Sequence, residues 1–257
     1  MTLTEIVFLI AIGICGGILT SLVGGASLLT YPGLVALGLP PVSAAVVNLV
    51  ALMPANLWAA WLDRAQLPRM SLPLAVLLSV SVVGGVAGAW LLLQTPPGVF
   101  MALVPLLLGV STALFAYAGH IAHWIERRSA GAEAAAAARW QVTTLTMVPV
   151  AVYGGYFGAG AGVMLLAILM IVANGDYRSA NSIKNLASGL NSLVASAVFV
   201  VQDAVQWTPV VVMASGGIVG AMIGMRIVRV VPREAMRRVV IGASAALTVV
   251  FAWRYWM

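Results

Sequence analysis

Charge is nearly missing from this chain. Only 8% of its 257 residues are Asp, Glu, Lys or Arg, while 62% are hydrophobic and mean hydropathy is +1.06. A soluble domain carries about 25% charged residues. So few charges cannot coat a water-facing globule, and so much apolar side chain excludes a disordered chain. Cysteine is as scarce. The single Cys15 lies in the first apolar run, so no intrachain disulfide forms and a secreted disulfide scaffold is excluded. One cysteine and two histidines supply no cluster for structural zinc. No GxxxxGK[ST] loop occurs, which excludes ATP as a direct energy source through that motif. No HExxH, nucleophile–base pairing or carboxylate pair is readable, so neither an enzyme nor a cofactor is expected.

The expected class is an all-α integral membrane protein. At about 20 residues per crossing, the apolar runs 4–37, 42–62, 72–93, 98–120, 142–173, 179–201, 208–228 and 235–256 make about eight hydrophobic helical segments. The N-terminus lacks a basic n-region and carries Glu5, which predicts a retained first helix. A net charge of +6 would suggest nucleic acid in a soluble protein. Here the arginines sit in short loops between apolar runs, so the positive-inside rule accounts for them and no nucleic-acid partner is expected.

The two longest runs are each interrupted by a glycine cluster, GGILTSLVGG (16–25) and GGYFGAGAG (154–162). Broken helices at membrane depth are tolerated where they line a cavity. The chain also repeats itself. Gly16-Gly17 matches Gly154-Gly155, SAAVVNL (43–49) matches SANSIKNL (179–186), GGVAGA (84–89) matches GGIVGA (216–221), and Pro96 matches Pro232. The offsets all fall between 132 and 138 residues. This divides the chain into a first membrane repeat (1–119), a polar, alanine-rich cytoplasmic linker (120–140) and a second membrane repeat (141–257).

Arginine counting orients the repeats. With eight full crossings, six arginines face each side. If each broken run and its successor instead form one crossing plus a re-entrant hairpin (26–62 and 160–203), each half crosses three times and the second half is inverted. Ten arginines then share the linker side and only Arg254 faces the other. The positive-inside rule prefers this inverted arrangement, with both termini outside. Inverted repeats with broken helices are a secondary-transporter design with a midplane substrate site.

Polar groups inside a membrane are expensive and are functional candidates by default. Lys184, the one lysine in the chain, is the sharpest of them. An anionic ligand would account for it; the plainer alternatives are snorkelling to headgroups or pairing with Asp176. Asn48 and Asn185 hold matching repeat positions and are expected to approach one another near the centre. Asn181 and Ser27 join the candidate substrate site. So do Gly25, Gly160 and Gly162, whose breaks could offer helix-terminal amides to an anion. Arg178 could steer anions or simply cap a loop. Asp176 and Asp203 are the candidates for proton coupling. The spacings Gly84/Gly88, Gly216/Gly220 and Gly220/Gly224 read as close helix packing. His120, His123 and Glu126 could share a helix face, where a solvated surface is the plainer reading than a metal site.

These same residues carry a resemblance. The stretch GGILTSLVGGASLLTYPGLVALGLPPVSAAVVNLVA resembles the first signature of the sulfite exporter TauE/SafE (TSUP) family, and GGYFGAGAGVMLLAILMIVANGDYRSANSIKNLASGLNSLV resembles its second. GGIVGAMIGMRIVRVVP is similar to the glycine-rich seventh segment of that family. The resemblance implies an inner-membrane transporter of sulfur-containing anions such as sulfite or sulfoacetate, with Lys184 and Asn185 inside the second signature. The expected function is a secondary transporter, an exporter of such an anion, working by alternating access between the repeats. An anion channel and a non-transporting membrane subunit are the alternatives. Expected partners are the anion and the bilayer, with a homodimer left open.

Overall fold

The computed structural model describes the chain except for residues 23–24, 129–133, 174–175, 228–240, 243–244, 247 and 254–257. Among the described residues the fold is all helix. The glycine clusters divide both long apolar runs. The first becomes α1 (Leu3–Leu22) and α2 (Ser27–Ala36), the second α6 (Ala134–Tyr156) and α7 (Ala161–Val172). The second break is forced by backbone: Gly158 and Gly160 hold φ of 73° and 77°, a left-handed conformation that a side chain would strain. The remaining helices are α3 (Pro41–Leu62), α4 (Leu72–Gln94), α5 (Pro97–Arg128), α8 (Tyr177–Val201) and α9 (Trp207–Ile227). Proline at the first positions of α3 and α4 costs no hydrogen bond there. Asp176 caps α8, its carboxylate accepting from the backbone N–H of Arg178 at 3.1 Å and Ser179 at 3.3 Å.

Five of these helices, α1, α3, α4, α8 and α9, are long and apolar enough to cross a membrane. By contrast α2, with 10 residues, and α7, with 12, measure roughly 15 and 18 Å at 1.5 Å per residue, about half a bilayer core. The expected hairpins therefore have unequal arms. Each short helix is followed by α3 or α8, which spans by itself.

Directions follow from close approaches. Gly16 of α1 faces Thr30 of α2, and Gly33 of α2 faces Ile12 and Phe8 of α1, so α2 runs back along α1. In the same way Gly154 of α6 faces Ala161 of α7. Between halves, α1 lies parallel to α9, with Gly13 and Gly17 against Met213, Gly217 and Ala221, and Gly220 against Ile14. The pair α4 and α6 repeats this, with Gly84 against Ala151, and Gly88 against Val152 and Tyr156. A Cβ at Gly17 would lie 2.0 Å from the Gly217 oxygen, and one at Gly88 2.1 Å from the Val152 oxygen. Only glycine permits these backbones to meet, as the small-residue spacing predicted. The pairs Gly16-Gly17 and Gly154-Gly155, read as break markers, lie inside α1 and α6, and Gly17 and Gly155 there serve this packing.

Helices α3 and α8 cross antiparallel at the centre. Ser182 Oγ donates to the Asp63 carbonyl at 3.0 Å, and Gly189 packs on Leu57. Leu67, Trp140 and Tyr177 pack on one apolar cluster, and α9 ends beside the last turn of α1. Arg64, Arg178 and Arg226 therefore gather at one end of the bundle. The arginines after Ile227, Pro232 and much of the eighth apolar run lie outside the described residues. Trp58, Trp61, Trp90, Trp207 and Trp253 are exposed, as interfacial anchors are.

Candidate functional site

Both breaks open on one cavity of about 50 Å³. A single water needs roughly 10–15 Å³ by this measure, so the space holds a few waters or one small ion. Ala26 and Ser27 reach it from the start of α2, and Ala161 and Gly162 from the start of α7. Two helix N-termini thus point partial positive charge at the same small volume. Helix α3 adds Asn48 and Asn56; helix α8 adds Lys184, Ser188, Asn191 and Ser192. No Asp or Glu lines it among the described residues.

Lys184 is 1% exposed, and its Nζ donates to the Thr20 carbonyl at 2.8 Å. Thr20 lies in the last turn of α1, where carbonyls have no intrahelical partner. The ammonium therefore caps α1 with one proton and borders the cavity. Asn181, one helical turn earlier, does likewise, Nδ2 donating to the Ser21 carbonyl at 3.2 Å. Asn48 is fully buried, with Thr30 Oγ1 beside its Oδ1 and no partner for its Nδ2 among the described residues. The two amides of the repeat do not meet. Because α3 and α8 cross near Leu57 and Gly189, Asn185 lies opposite the end of α3. It is separated from Asn48 by about 12 residues, roughly 18 Å of helix. Neither side-chain polar atom of Asn185 has a partner among the described residues, and it lies outside the cavity lining.

Of the residues singled out from the sequence, the cavity brings together Lys184, Asn48, Ser27 and Gly162. Gly25 is buried at the first break, where its carbonyl accepts from Leu28 N at 3.1 Å. Gly160 caps α7 and packs against Ser111, whose hydroxyl is hydrogen-bonded to that of Tyr153. Tyr153 in turn donates to the Ala159 carbonyl at 2.8 Å, fixing the break from outside the cavity. Arg178 and Asp176 are exposed at one end of α8, Asp203 at the other. His120, His123 and Glu126 fall in α5, but their side chains lie outside the described residues. No group of metal-ligating side chains occurs among those described.

Asn56 and Asn191 are not among the candidates singled out from the sequence, yet both line the cavity. Asp63 is likewise absent from the candidates singled out from the sequence. It closes α3 beside α8, where burial pushes its carboxyl above the ordinary value while Arg178, Lys184 and an Asn181 hydrogen bond pull it back. With seven acids in the chain, one at the end of a repeat helix was a signal in itself.

Membrane-length helices, two half-length helices starting at a shared polar cavity, and an outward apolar surface define a multi-pass membrane protein of the broken-helix type. Residues 9–251 match the family Sulfite exporter TauE/SafE, and the chain belongs to that family. It is 27% identical over 248 residues to a Sinorhizobium sp protein named "Probable membrane transporter protein ORF9", covering 94% of this chain and 90% of that one. No solved structure matches. The chain is a membrane transporter by family.

Proposed function

We propose that this transporter is a secondary carrier, an exporter, of a small sulfur-containing anion such as sulfite or an organosulfonate like sulfoacetate. The observation that carries the reading is the cavity: a buried ammonium, two helix N-termini, and asparagine and serine side chains around a space of ion size. Such a site favours negative charge and gives a cation no carboxylate partner. The sulfur chemistry rests on the family name.

Alternating access between the two repeats is supported by the pairings. Exchanging the halves turns α1/α9 into α6/α4 and leaves α3/α8 as a pair, and the antiparallel α3/α8 crossing is what an inverted two-fold requires. The cavity lies between the breaks, so a rocking of one repeat would open it to one side at a time. Asp176 and Asp203, exposed at opposite ends of α8, are the proposed coupling groups. The arginine-rich end would face the cytoplasm of a bacterial inner membrane.

Reconstituted liposomes test this. Labelled sulfite or sulfoacetate should accumulate transiently against its gradient when the vesicles are preloaded with the unlabelled anion. A pore would equilibrate label without such counterflow, and a non-transporting subunit would pass none.

A further inference from the structure

The cavity is not uniformly a donor site. Asn191, 4% exposed, reaches it from the middle of α8. Its Nδ2 donates to two main-chain carbonyls, Ser81 O of α4 and Ala151 O of α6, each at 2.9 Å. An amide nitrogen has two protons, so both are spent. Rotating the amide would set its oxygen against two carbonyl oxygens, so the network fixes the orientation. The oxygen is left on the Gly154 side, where a Cβ on that glycine would lie 3.1 Å from it, and Gly154 also lines the cavity. Among the described residues the hydrogen bonds of this side chain run through Nδ2 alone, and Oδ1 is not one of the fully enclosed unpaired atoms. The ammonium of Lys184 is on the same helix, seven residues earlier, with one proton engaged by Thr20.

We infer that the occupant of this cavity is a monoanion carrying its own O–H or N–H donor next to the charged head, which Lys184 holds by the charge and Asn191 Oδ1 by the donor. The inference rests on the anion-site reading above and narrows it to a class that takes in hydrogensulfite and disfavours sulfoacetate, a dianion without a donor. A hydrogensulfite-like, hydroxysulfonate or aminosulfonate ion can serve both groups. A fully deprotonated oxyanion, or an alkylsulfonate with a plain carbon tail, turns only acceptors or methyl groups toward Asn191. Each of those would leave a buried acceptor unpaired, and a site built to hydrogen-bond a hydroxyl or amine discriminates strongly against analogues lacking it. The clamp to α4 and α6 also ties ligand selection to the contact between the repeats, because Asn191 is held in place by α4 from one half and α6 from the other.

The test is a matched pair of ligands on the full-length protein in detergent or nanodiscs. Hydroxymethanesulfonate and ethanesulfonate have the same charge and nearly the same shape, differing by a hydroxyl in place of a methyl. Titration calorimetry should show hydroxymethanesulfonate binding at least tenfold more tightly. In Asn191→Leu, should it fold, that ratio should fall towards one. Equal affinity of the wild type for the two ions, or tighter binding of ethanesulfonate, overturns the inference while leaving an anion site standing. If neither ion nor sulfite, sulfoacetate or thiosulfate binds, the anion-site reading falls, and this inference with it.

Discussion

Replacing Lys184 by Met keeps an unbranched side chain one atom shorter and removes its charge and donors. The structure sets the size of the effect. Lys184 is buried at 1% exposure and lines the cavity, with one proton engaged by the Thr20 carbonyl. A hydrogen bond to a charged group contributes about 1.5–3 kcal/mol, so an anion held by this ammonium should bind roughly 10- to 140-fold more weakly to Lys184→Met. Thermal denaturation in detergent reads this directly. A ligand at 100 times its dissociation constant stabilises the wild type by about 2.7 kcal/mol; if affinity drops 100-fold, the same concentration yields only about 0.4 kcal/mol. Without ligand, losing the cap on Thr20 and losing a buried charge act in opposite directions, so the apo melting temperature should move little. An undiminished ligand shift in Lys184→Met would show that the lysine only caps α1 and that the anion sits elsewhere.

Gly17→Ala should lower the melting temperature, since its Cβ would lie 2.0 Å from the Gly217 oxygen, an overpacking worth about 1–3 kcal/mol; Gly98→Ala, with nothing within 4 Å, should be silent in the same melt. Because burial raises the Asp63 carboxyl, the folded chain holds that proton more tightly than the unfolded one. Its contribution is then full below the ordinary carboxylate value and lost as pH rises through the raised one. Asp63→Asn should therefore flatten the weakly acidic part of the stability profile, and an unchanged profile would refute this. The double variant Asp176→Asn/Asp203→Asn should fold normally, because Asn also serves as an N-cap and tolerates the left-handed φ of 51° at Asp203. Its anion flux in liposomes should no longer follow an imposed pH gradient; wild-type gradient dependence would clear both residues of coupling.

Much of the fold was legible because membrane solvent leaves few options. Apolar run length marked the helices, and the glycine clusters placed both breaks within a few residues of where α1 and α6 end. The runs 42–62 and 179–201 are long for hairpin arms in the sequence itself, yet hydropathy does not tell an arm that returns from one that crosses. Repeat matching pairs Asn48 with Asn185 as equivalents, yet equivalence does not imply contact. Two symmetric residues meet only where their helices cross, and that point is set by Leu57 and Gly189. For the site, scarcity was the useful signal: the one lysine reached the cavity wall. Asn191 stayed inconspicuous because its importance lies in which carbonyls occupy its nitrogen, a fact held by α4 and α6 and invisible along α8.

The pairing of α1 with α9 has a consequence for biosynthesis. Gly13 and Gly17 meet their partners only at Met213 and Gly217, 200 residues downstream. At 5–20 residues per second, ribosomes need about 10–40 s to make that stretch. Throughout this interval the Gly13/Gly17 face of α1 lacks α9 and meets lipid or the insertion machinery instead. A chain truncated before α9 would leave this face of α1 without its glycine partners.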